Sequence, residues 1–96
     1  MKRLCSVMIA NEKIAFFQTA YDDVSTAVVA VGSSGMRYGD LSIQSDDIAL
    51  PIGQFAVKHW GSSSALATAA LGSRHFRATG QTITIGGVLT SIWEIC

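Results

Sequence analysis

Two early apolar runs, Leu4 to Ala10 and Lys13 to Thr19, are rich in β-forming residues and stand on either side of a polar pair. Asn11-Glu12 separates the runs, and asparagine tolerates the positive φ of a tight turn, so the pair predicts a hairpin. A loop at those two residues opposes Ile9 with Ile14 and Val7 with Phe16, one apolar face. The other face, with Leu4, Ser6, Met8, Ala15, Phe17 and Thr19, is also fairly apolar. Two such faces suggest a central place in a sheet or a contact with another subunit.

Residues 21–35, "YDDVSTAVVAVGSSG", carry two periods at once. Val24, Ala27, Val28 and Val31 keep helical spacing between a capping Asp22 and a terminating Gly32. The β-branched residues lose rotamer freedom in a helix, and this favours a buried strand. Met36 to Gln44 predicts another strand, with Tyr38, Leu41 and Ile43 packing inward and a turn at Ser45-Asp46-Asp47. Ile48 to Pro51 fits either an edge strand or the lead into a helix with Pro51 at its first position. Beyond it, Ile52, Phe55, Ala56 and His59 keep helical spacing, while Phe55, Val57 and His59 equally keep that of a strand.

Ser62 to Leu71, "SSSALATAAL", is the strongest helical segment, extending over about 62–72. Serine offers its hydroxyl to the free N–H groups of a first turn, alanine has the best helix propensity, and Gly72 supplies a stop. Ala67, Ala70 and Leu71 form a small face for close packing. The stretch "GQTITIGGVLTSIWEIC" then predicts a hairpin with Gly86-Gly87 at its tip. A two-residue loop opposes Ile83 with Thr90, whereas a three-residue loop gathers Ile83, Ile85, Leu89, Trp93 and Ile95 and turns Glu94 outward; the apolar grouping favours three. Together the elements predict one α+β domain over 1–96: a small, mainly antiparallel sheet or a partly open barrel with one short helix.

Composition alters this picture in one respect. The 96 residues are 49% hydrophobic and 15% charged, against roughly 25% charged in an ordinary soluble domain. So small a domain buries only about 60 to 65% of its unfolded surface. The excess apolar surface predicts a homo-oligomer or a seat against a protein partner. Seven basic and seven acidic residues cancel, which disfavours a nucleic-acid partner, since a phosphate backbone needs a basic stripe. No run is long enough for a membrane span. The start "MKRLCSVMIANEK" is too poor in apolar residues for a signal peptide, and Cys96 completes no prenylation box. The expected compartment is cytoplasmic, with Cys5 and Cys96 as reduced thiols.

Candidate chemistry concentrates around "KHWGSSSAL" and "GSRHFR". A glycine-serine turn entering a helix presents N–H groups at the positive end of the helix dipole, suited to an anion. His59, Trp60, Ser62, Ser63, Arg74 and His75 are the candidate ligand-binding residues, set against the plainer reading of a capped helix. An acyl-transfer site would need a serine beside His59 or His75 with Asp46 or Asp47 as orienter, but the G-x-S-x-G turn is absent. "VGSSGMRYG" lacks a dinucleotide fingerprint and reads as a turn between strands. No metal-ligand spacing occurs, and no cofactor is implied. Phe55, Phe76, Tyr38, Trp60 and Trp93 suit a core, an interface or an apolar ligand pocket.

The stretch "GQTITIGGVLTSIWEI" resembles the closing hairpin of small phage head–tail joining proteins, a likeness confined to that segment. The residues favour a non-catalytic binding protein, self-associated through apolar sheet surface, with a protein partner or a small apolar or anionic ligand. A structural subunit of a phage-like or other assembly is the second reading. A small hydrolase using His59 or His75 is the third.

Overall fold

In the computed structural model, which describes residues 1–44, 49–61 and 63–96, the chain forms two four-stranded antiparallel sheets and one helix. The first sheet has the order β1 (Lys2–Ile9), β2 (Glu12–Ala20), β3 (Thr26–Val31) and β4 (Arg37–Asp40). The second contains β5 (Ser42–Ile43), β6 (Gln54–Val57), β7 (Phe76–Ile85) and β8 (Val88–Ile95), with β8 between β6 and β7. Helix α1 (Ser63–Gly72) follows β6. The fold is the expected small α+β type, and among the described residues the strands close no barrel.

β1 and β2 form the expected hairpin, but the loop is Ala10-Asn11, both at positive φ (50° and 65°). Ile9 therefore faces Glu12 and Val7 faces Ile14. The register differs by two residues from a loop at Asn11-Glu12, so side chains keep their faces. Val7, Ile9, Ile14 and Phe16 all reach the core. A bulge between Arg3 and Cys5 lets Leu4 pack against that core too, correcting its assignment to the opposite face. β2 is central, whereas β1 is an edge strand.

The ambiguous valine segment is the strand β3, buried from Thr26 to Ala30. Asp23 Oδ1 accepts the Ser25 N–H (3.0 Å), a local turn that ends helical propagation before β3 begins. The single strand expected over Met36 to Gln44 is instead two, because the chain passes between sheets at Leu41. Its N–H donates to Val28 O (3.0 Å), and its carbonyl accepts from Lys58 N–H (2.8 Å). Leu41 is wholly buried, while Tyr38 is 42% exposed and does not pack as expected. The turn expected at Ser45-Asp46-Asp47, with Ile48, lies outside the described residues. Phe55 to Val57 is strand, and Ile52 stands in solvent.

Both sheets press their inner faces on one core. Ile14, Phe16, Val28 and Ala30 meet Phe55, Val57, Phe76 and Trp93. Phe76 stands edge-on to both Phe16 and Phe55, with centroids 5.6 and 5.8 Å apart, the preferred aromatic geometry. α1 adds Leu66, Ala67 and Ala70; Leu71, expected to pack, is instead 46% exposed. Gly39 lets the helix approach β4, since a Cβ there would lie 3.0 Å from Leu66 Cδ1.

β7 and β8 are joined by the two-residue loop Gly86-Gly87, both at positive φ. Ile83 faces Thr90 and Ile85 faces Val88, correcting the three-residue loop. The twist-matched two-residue turn suits glycine at both positions. Ile83 and Ile85 consequently lie on the face opposite Leu89, Trp93 and Ile95. Glu94 stands outward and pairs with Arg77.

Candidate functional site

Helix α1 separates the five described candidate residues into two groups. His59, Trp60 and Ser63 stand at its start, Arg74 and His75 just past its end, and ten helical residues span about 15 Å. Ser62 lies outside the described residues. At the start, His59 Nε2 is 3.1 Å from Leu89 O, and its ring stands edge-on to Trp60 at 5.3 Å. Ser63 is buried and its hydroxyl donates to Asp40 O (3.0 Å), fastening the helix to the end of β4. Ser64 Oγ donates to Gly61 O (3.1 Å). These hydroxyls thus tie the helix to neighbouring backbone.

At the other end Arg74 adopts a left-handed φ of 64° as the chain leaves the helix. The His75 N–H donates to Ser73 Oγ (3.2 Å), and its carbonyl accepts from Cys96 N–H (2.9 Å). Both side chains are exposed. Among the described residues neither imidazole is hydrogen-bonded to a serine hydroxyl or a carboxylate. Nor do any three His, Cys, Asp or Glu side chains among them gather for a metal ion.

The more developed concavity lies on the outer face of the first sheet. Pairing places Phe17 opposite Val29 and Ala15 opposite Val31, with Ala27 beside Thr19. A depression of about 450 Å³ is floored by Ala27, Val29 and Val31 and walled by Tyr21 and Arg37. A second, of about 330 Å³, continues over Ala15 and Phe17 and shares Val31. The charged lining residues are Arg3 and Lys13 on one side, and Asp22 and Arg37, the latter forked onto Asp40, on the other. An apolar centre with a charged rim is the layout of an interface patch.

Tyr21 closes one end of the larger depression. Its hydroxyl shares a hydrogen bond with Ser42 Oγ (2.7 Å), and Val28 N–H donates to that same oxygen (2.9 Å). Burial pushes the Tyr21 hydroxyl above its ordinary pKa, against the lowering effect of the Ser42 bond. The floor is apolar because β3 is flanked by β2 and β4 and carries small or branched side chains on both faces. The continuous apolar run in β3 and the second apolar face of β2 were the available sequence signals; the depression itself depends on how Tyr21 and Arg37 border it.

Compared with family models, curated proteins and solved structures, the chain finds no match in any of the three. Among the described residues no helix is long and apolar enough to cross a membrane.

Proposed function

We propose that this chain is a non-catalytic binding domain, self-associated through apolar sheet surface, that receives a protein partner or a small apolar ligand on the outer face of its first sheet. One observation carries the reading: half-buried Val31, with buried Ala27 and Val29 at its base, lies in an open depression that Asp22 and Arg37 also line. Its volume of about 450 Å³ falls within the range of roughly 300 to 1,000 Å³ usual for small-molecule sites. The compensated Arg37–Asp40 pair leaves apolar contact as the main attraction.

The test combines native mass spectrometry under reducing conditions with titration of the uncharged apolar fluorophore N-phenyl-1-naphthylamine. A discrete oligomer and saturable dye binding are expected. Replacing half-buried Val31 with lysine should weaken dye binding about tenfold while leaving circular dichroism unchanged, because the ammonium brings its hydration into the apolar floor. A monomer that leaves the dye unbound overturns the reading. Open-ended growth with concentration would instead favour an assembly subunit.

A further inference from the structure

We infer that the outer half of β7, Thr82 to Ile85, is a self-pairing edge through which two copies of this chain join their second sheets. This rests on the reading of the chain as self-associating and identifies the contact. β7 ends the order β5-β6-β8-β7, so among the described residues no strand lies on its free side. Unpaired strand edges are templates for another strand unless charge, distortion or a covering element prevents pairing.

The other sheet edges carry such protection. β1 begins with Lys2-Arg3, is bulged between Arg3 and Cys5, and packs against α1, where Cys5 Sγ lies 3.9 Å from Ser73 Oγ. β4 carries the Arg37–Asp40 pair at its two ends, and β5 has only two residues. In β7 no charged residue occurs between Arg77 and Glu94 of the following strand. Two copies of this edge can therefore approach without bringing like charges together, and their uncharged surfaces match.

The register follows from the hairpin. Ile85 and Val88 flank the two-residue loop and bond to each other, so the alternate residues Thr84 and Thr82 turn their backbone N–H and C=O groups outward. A two-fold axis normal to the sheet must pair residues on the same face. Centring it on Thr84 opposes Thr84 with its symmetry mate and exchanges both N–H···O=C bonds between them. It also places Ile83 against the second copy's Ile85, with Val88 alongside. Threonine meets threonine on one face and isoleucine meets isoleucine on the other, both favourable cross-strand pairs. So short an edge buries less than the roughly 1,200 Å² of a standard stable interface, and the dimer dissociates on dilution.

Thr84→Lys and Thr84→Glu provide the test, each checked by circular dichroism and sized by sedimentation velocity over a concentration series. Alone, each variant should remain folded and lose at least about tenfold in association constant, since like charges meet directly across the axis. An equimolar mixture should regain a heterodimer because lysine then faces glutamate. Unchanged association of Thr84→Lys, or failure of the folded variants to complement, overturns the contact. A monomeric parent also overturns it. Dye binding, read on the same samples, should fall in Val31→Lys and persist in the Thr84 variants, so failure of this edge is distinguishable from failure of the outer-face reading.

Discussion

The two long hairpins use the same kind of two-residue loop yet contribute differently. β1–β2 rests against the core along its length: Leu4, Cys5, Val7, Ile9, Ile14 and Phe16 all belong to or pack on one cluster. β7–β8 is divided. Phe76, Trp93 and Ile95 join the cluster, but the register breaks between Ala78 and Thr82, where Gly80 has φ 85°. Beyond that break, Ile83 and Ile85 are half-buried and Leu89 is 64% exposed. A bulge separates the part of a hairpin that stabilises the domain from the part free to meet another surface.

The largest expected effects lie on the core side of that division. Phe16→Ala and Phe76→Ala should each lower unfolding free energy by about 3 to 5 kcal/mol, through lost burial and the cavity left behind. Ile85→Ala should cost only about 1 kcal/mol because its side chain is half-buried. Urea unfolding of dilute protein gives these values. Equal losses at Phe76 and Ile85 would remove the distinction between the two parts of the β7–β8 hairpin.

The loops offer a smaller and opposite pair of effects. Ala10 occupies a left-handed conformation that costs an L-residue roughly 1 to 2 kcal/mol, whereas glycine adopts it freely. Ala10→Gly should therefore stabilise the first hairpin by about 1 kcal/mol, and Gly86→Ala should destabilise the second by about as much. Thermal melts of the two variants should move in opposite directions. Movement in the same direction would show that backbone conformation does not control these loops.

The two free thiols extend the comparison through reactivity. Burial raises the Cys5 thiol above its ordinary pKa, partly opposed by its bond to Ser73, whereas Cys96 is exposed. A raised pKa leaves less thiolate at a given pH, and thiolate is the nucleophile. Iodoacetamide at mildly alkaline pH should modify Cys96 first, as read by peptide mass spectrometry. Faster modification of Cys5 would mean that β1 opens readily from α1.

Much of the fold was legible because face assignment needs only periodicity. A two-residue difference in the first hairpin leaves Val7, Ile9, Ile14 and Phe16 on the core side, so that inference survives the wrong loop. In the last hairpin, changing three loop residues to two sends Ile83 and Ile85 to the opposite face. The candidate site was less legible. Nearness in sequence grouped His59, Trp60 and Ser63 with Arg74 and His75, but the length of α1 separates them. The depression on the first sheet needed the placement of Tyr21 and Arg37 around β3, which local spacing does not encode.

Short-range chemistry in the sequence determined the two terminal hairpins, the alanine-rich helix and the position, though not the length, of the glycine turn. Tertiary structure decided which apolar faces met, because packing depends on register, crossing points and the order of strands. Leu41 illustrates the difference: its hydrophobicity predicts burial, but only the assembled sheets make its N–H bond Val28 while its carbonyl bonds Lys58.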